Sequence, residues 1–175
     1  MNSAEKKLFL SKLASESDEL LLKTLDFFRS NGDIDVLPNV LNLIDSGKGQ
    51  IVTDAVLNFV SDLKNKDAAN VVFDFMINNS NKYSQKQLIT ALWQCDVDFS
   101  DKAEIIIDFI FNTDNFEMAF DALTLLENNA SNIEKDIADC LFDKVCNWSK
   151  GSNFEFDGIY NAVKEHLMKI INNNI

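Results

Sequence analysis

Apolar and polar positions along this chain form a short pattern that returns three times. Val40-Leu41-Asn42-Leu43-Ile44 is followed by Val72-Phe73-Asp74-Phe75-Met76 and Ile106-Ile107-Asp108-Phe109-Ile110, with first residues 32 and then 34 positions apart. At about 100° per residue the four apolar positions of each copy cover one arc of a helix, and Asn42, Asp74 and Asp108 fall opposite. A near-fixed period of this size marks stacked helical units, none of which buries its apolar face alone. A second set of columns runs in step: Ala55-Val56 with Phe59, Leu88-Ile89 with Leu92, and Ala119-Phe120 with Leu123, at spacings of 33 and 31. Phe73, Phe75, Phe109 and Leu92 are therefore expected in the core.

Helix starts and stops agree with the period. A first helix is expected over Ala4 to Leu13 and a second over Asp18 to Ser30, stopped by Asn31-Gly32. Later helices are expected over 35–45, 51–63, 67–78, 84–95, 101–112, 115–128, 132–148 and 155–172. Pro38 sits in a first turn, where its missing N–H costs little, and Ser46-Gly47-Lys48-Gly49 breaks that helix. Asp67 reads as an N-cap, as does Ser100. Ser84 with Gln87, Asp114 with Glu117, Ser131 with Glu134 and Ser152 with Glu155 have the form of capping boxes. The expectation is one all-α domain over 1–175, with 1–32 as an N-terminal capping pair and 33–175 as repeats and a C-terminal cap.

Within this frame Leu37 to Asp45, a short turn, and Val52 to Leu63 resemble one HEAT repeat: proline in the first helix, Asp before the turn, Val opening the second helix and Ala55 three residues later. The third copy, through Asn112-Thr113-Asp114-Asn115-Phe116 and Ala119, is a degenerate version. The resemblance implies a HEAT-like α-solenoid, a right-handed α-α superhelix of about five antiparallel helix pairs whose second helices line the concave face. The family often carries an arginine early in the second helix as part of a ladder; Thr53, Lys86 and Glu117 stand there instead, so packing must hold the register. The tetratricopeptide signatures, whose period is compatible, are absent.

Charge narrows the partners. The chain carries a formal charge of −12, and Arg29 is its one arginine. Nucleic-acid affinity rests on Lys and Arg neutralising phosphates, so nucleic acid is not an expected partner. No stretch approaches the roughly 18 apolar residues of a membrane span, and none reads as a leader, so a cytoplasmic protein with no membrane partner is expected. Cys95, Cys140 and Cys146 have no pairing motif and read as reduced thiols in or near the core.

Catalytic and metal chemistry finds no foothold. His166 is the one histidine, which excludes any site built on two imidazoles. Asn153 to Gly158 approaches a calcium loop but has Lys164 at its twelfth position, and Asp96 to Asp101 places Asp101 where glycine belongs. No catalytic residue, cofactor or metal ligand is assigned.

Trp93 stands one residue beyond the core position Leu92, in the column of Val60 and Thr124, and reads either as packing at the repeat interface or as a binding anchor on the inner surface, whereas Trp148 at a helix end reads as core. If second helices line an inner face, Gln87, Thr90, Trp93, Gln94, Asp121 and Thr124 share it, and tryptophan is enriched among interface anchors. The function expected is a non-enzymatic scaffold or adaptor binding another protein or a peptide on that face. An immunity or inhibitor protein that neutralises a basic bacterial toxin through charge is the alternative. An enzyme like the HEAT-like DNA glycosylases needs a basic concave face that these residues do not supply.

Overall fold

The structure, a computed structural model, describes residues 1–15, 17–130, 132–148 and 156–173. Among them every regular element is helical and none is a strand: α1 (Ser3–Leu13), α2 (Asp18–Asn31), α3 (Leu37–Leu41), α4 (Gln50–Ser61), α5 (Lys66–Asn78), α6 (Lys82–Gln94), α7 (Ala103–Asn112), α8 (Phe116–Asn129), α9 (Lys135–Cys146) and α10 (Asp157–Asn173). The span expected as one helix over 35–45 is instead a 3-10 turn at Ile34–Val36, α3, and a second 3-10 turn at Asn42–Asp45. The Ser46 hydroxyl donates to the Leu43 carbonyl at 2.6 Å, and Gly47 follows at φ 72, the left-handed region that only glycine enters freely.

Contacts divide the chain into two compact units, Met1–Val97 and Asp98–Ile175. In the first, α1 packs on α2 and α3, α3 on α5, α2 on α4, α4 on α6, and α5 on α6, so helices meet both their sequence neighbours and those two places along. In the second, α8 packs on α7 and α10, and α10 on α9. No helix among the described residues is long and apolar enough to cross a membrane.

The repeated pattern does bury an arc, but a narrower one than four residues. Val72, Phe73 and Met76 are buried, as are Ile106, Ile107 and Ile110, and Leu92 is buried with them. Phe75 and Phe109 are only half-buried. They stand next to the polar position, at the edge of the arc, where a helix surface turns toward water. Phe120 departs further, at 53% exposed, because α8 buries Met118, Ala119, Ala122, Leu123, Leu125 and Leu126 and leaves position 120 on the far side.

Cys95 is buried, and burial pushes its thiol up to about 11. Cys140 and Cys146, expected in or near the core, are exposed, because α9 turns Ala138, Leu141 and Val145 inward. Trp148 is half-buried, its indole edge-on to Phe111 at 5.2 Å between ring centres. His166 is half-buried, and burial pushes its pKa down against the opposing pull of the Ala130 backbone and Glu127.

Several caps sit on neighbours of the residues expected to make them. Asn65 caps α5, with Asp67 in the first turn; Asn81 caps α6; Asn115 caps α8 in place of Asp114. Ser100 accepts a bond from the Asn132 N–H, and it is Asp98 that accepts from the Ser100 N–H. The pairs Ser131 with Glu134 and Ser152 with Glu155, and the start of the Asn153 to Gly158 turn, involve residues outside the described ones. The expected stop at Asn31-Gly32 holds, and Gly32 is needed there for space: a Cβ would come within 2.6 Å of the Phe28 carbonyl oxygen and 2.7 Å of its ring.

Ser84, freed from capping, is buried inside α6, and its hydroxyl donates to Asp45, 39 residues back. Asp45 also accepts from the Asn79 side chain at 2.8 Å and the Asn81 side chain at 2.7 Å. Other bonds join residues about one period apart. The Lys48 ammonium donates to the Ser15 carbonyl 33 residues away, and Arg29 pairs with Asp62 across 33 residues at 2.6 Å. In the second unit Asn132 reaches Asp98 across 34, and Lys144 reaches Asp108 across 36. Gln85, buried, donates from its side chain to the Met76 carbonyl at 3.0 Å and so closes the end of α5.

Two outcomes follow. Phe73→Ala should cost about 3–5 kcal/mol in urea unfolding, whereas Phe120→Ala should stay within about 0.5 kcal/mol of the parent. Burial pushes the Asp45 carboxyl up, but the bonds from Ser84, Asn79 and Asn81 together outweigh it and leave its pKa below the ordinary 3.8. Its stabilisation is thus complete above that value and is lost as pH falls through the lower folded one. Asp45→Ala should cost about 1–2 kcal/mol near pH 7, a partly exposed group being discounted for solvent, and the gap to the parent should close in acid.

Candidate functional site

Helices α4 and α6 pack side by side, and each presents a polar line beside its neighbour. On α4 the apolar arc of Val52, Val56 and Val60 leaves Asp54, Asn58 and Ser61 at i, i+4 and i+7. On α6, Tyr83, Gln87, Thr90 and Gln94 stand at i, i+4, i+7 and i+11, within about 60° of one another around the axis. Together with Leu57, Lys86 and Ala91 these residues line an open groove of about 580 Å³.

The Ser61 hydroxyl donates to the Gln94 side-chain oxygen at 3.3 Å across 33 residues and closes one end of the groove. At the other end the Gln50 amide donates to Asp54 at 2.8 Å. Thr90 turns its hydroxyl to the Lys86 carbonyl at 2.9 Å. The Gln87 side-chain oxygen is buried and makes no hydrogen bond. Tyr83 stands at the rim, 64% exposed. One carboxylate, Asp54, and one ammonium, Lys86, leave the walls near neutral, with amides and hydroxyls between them.

No family model, curated protein or solved structure matches this chain. The chemistry of the groove therefore rests on its own geometry.

Three of the six residues expected on a shared face, Gln87, Thr90 and Gln94, meet in this groove. Trp93 does not line it: the residue lies about 60–120° around α6 from that line, and it is half-buried with its indole N–H buried and without a hydrogen-bond partner. Asp121 and Thr124 lie on α8 in the second unit, where Asp121 is half-buried and Thr124 donates to the Phe120 carbonyl at 2.9 Å. The polar line of α6 does not recur on α8. At the matching positions Met118 and Leu125 are buried.

Sequence reasoning passed over Tyr83 and Asn58. The available signal was an aromatic residue off the apolar stripe: Tyr83 lies opposite Leu88 and Leu92 on the helical wheel, within the polar run Asn81 to Gln87. Among the described residues no three or more His, Cys, Asp or Glu side chains converge as a metal cage.

A buried amide oxygen without a donor is a standing cost that an apolar side chain of similar shape removes. Gln87→Met should therefore raise stability by about 1 kcal/mol in urea unfolding, with α-helicity by circular dichroism unchanged.

Proposed function

We propose that this chain is a HEAT-like helical repeat protein, non-enzymatic and cytoplasmic, that binds a peptide or protein segment along the groove between α4 and α6. The single observation that supports this reading is the pairing of an exposed tyrosine with an unpartnered buried amide on one polar line. Tyr83 offers contact area at low entropic cost, and Gln87 lines the groove beside it with its side-chain oxygen buried and without a donor. The other side chains along the walls, Asn58, Ser61, Thr90 and Gln94, are neutral hydrogen-bonding groups suited to a peptide backbone. Trp93, on the adjoining face of α6, widens the surface such a segment contacts. Asp121 and Thr124, on α8, are read as contact residues of the second unit by itself.

The groove carries one acidic and one basic side chain, and this mixture favours an uncharged segment as occupant. The inhibitor of a basic toxin would draw instead on the charge of −12, through faster encounter with a cationic partner. The two readings separate by salt. Groove binding to a neutral segment loses little affinity as salt rises, whereas charge-steered binding weakens with it.

The test is affinity capture from native lysate with the intact chain, followed by the same capture with Tyr83→Ala combined with Gln94→Arg. A true groove partner should lose at least about tenfold in affinity, about 1.4 kcal/mol, with helicity intact. A captured protein that holds the double variant as tightly as the parent rules the groove out.

A further inference from the structure

A second groove, between α1 and α2, differs in kind from the first: it is apolar. Leu8 is 57% exposed, Leu20 38% and Phe27 51%, and with the buried Phe9 and Thr24 they line a hollow of about 420 Å³. Apolar side chains scattered singly over a surface are ordinary, but three converging on one hollow are not. Leu20 and Phe27 are seven residues apart, on one line of α2 and about 10 Å along its axis, while Leu8 faces them from α1. Their own helices bury other residues, Phe9 and Leu13 on α1 and Leu21, Leu25 and Phe28 on α2. Within the unit α1 packs on α2 and α3, and α2 on α1 and α4, so each has its neighbours on the inward side.

The rim is cationic in a chain that is otherwise acidic. Residues 1–29 hold five basic and five acidic side chains, so the whole charge of −12 falls on residues 30–175. Lys12 and Lys23 line the hollow. Among the described residues Lys12 has no ion-pair partner, and Lys23 meets Glu19 at 2.6 Å with both side chains at least 70% exposed, a pair worth little in water. Glu5, the one acid on the rim, is occupied: its carboxylate accepts the Asn2 N–H at 2.7 Å in the capping box of α1.

We propose that this groove docks an amphipathic helix of a partner protein whose apolar stripe enters between Leu8, Leu20 and Phe27 and whose flanking Asp and Glu residues meet Lys12 and Lys23. One apolar line with a seven-residue spacing, Leu20 and Phe27, faced by Leu8, matches the i, i+3, i+4 and i+7 anchors of such a helix. A second copy of this chain fits less well, because a two-fold contact through the groove sets the lysines of one rim against those of the other. The long-range repulsion of an acidic helix by the rest of the chain is screened within about 8 Å at physiological salt, and the local lysines decide.

The test is a fluorescence-anisotropy titration of the full chain with two synthetic helical peptides that share one leucine stripe, one flanked by Glu and the other by Lys. The net charge of −12 favours the Lys-flanked peptide everywhere except at this rim. Preference for the Glu-flanked peptide by about tenfold or more supports the proposal, as does its loss in Phe27→Asp and its inversion in Lys12→Glu with Lys23→Glu. Leu8→Asp serves as the second apolar variant where Phe27→Asp loses helicity. Equal or tighter binding of the Lys-flanked peptide overturns the proposal, and so does an affinity for the Glu-flanked one that both apolar variants leave unchanged. Self-association of the parent chain that Phe27→Asp abolishes also overturns it and gives the groove to a second copy.

Discussion

The fold depends on the burial of one apolar arc per helix against helices that lie close in sequence. Most of the helices among the described residues are too short to be stable alone in water, since isolated helices shorter than about 12–15 residues are marginal even with good formers. The arc is about three residues wide per two turns, as in Val72, Phe73 and Met76 on α5 or Ile106, Ile107 and Ile110 on α7. A strip that narrow covers two neighbours and leaves the rest of each helix surface free. In the first unit the neighbours are the adjacent helix, as for α1 on α2 and α5 on α6, and the helix two places along, as for α2 on α4, α3 on α5 and α4 on α6.

Polar ties then fix the register that packing alone leaves soft. With one arginine in the chain, these ties are made mostly by asparagine, serine, aspartate and lysine, and they join positions about one period apart. Asp45 gathers Asn79, Asn81 and Ser84; Asp62 takes Arg29; Gln94 takes Ser61; Asp98 takes Asn132. Such bonds are individually modest, about 0.5–1.5 kcal/mol net for a neutral pair. Their value is directional: a slip of one residue breaks each of them while an apolar contact merely shifts.

Because register is held mostly at the helix ends and in the core, the exposed lines of α4 and α6 carry little packing duty beyond the Ser61–Gln94 bond. That is where Asp54, Asn58, Tyr83, Gln87, Thr90 and Gln94 stand, in a groove near neutral charge. On α8 the matching positions return to the core as Met118 and Leu125. The surface of α1 and α2 obeys a different rule, apolar with a lysine rim, so the first unit offers two grooves of contrasting chemistry.

The sequence alone determined the helical spans and the inward arcs, because both follow from residues within a few positions of one another. Helix ends at Leu13 and Asn78 fell where local signals placed them. The half-burial of Phe75 and Phe109, the exposure of Phe120 and the break of the 35–45 span into 3-10 turns needed the neighbours in place. The same is true of Ser84, which has the local form of a cap and instead serves Asp45 from inside α6. For the groove, the polar line from Gln87 to Gln94 was legible on one helix, whereas Tyr83 stood off the apolar stripe without a visible role. That Asp54, Asn58 and Ser61 face that line from another helix was decided by the packing of α4 on α6. Contacts across about 33 residues arise only when both helices bury their arcs together, and nothing local to either segment encodes them.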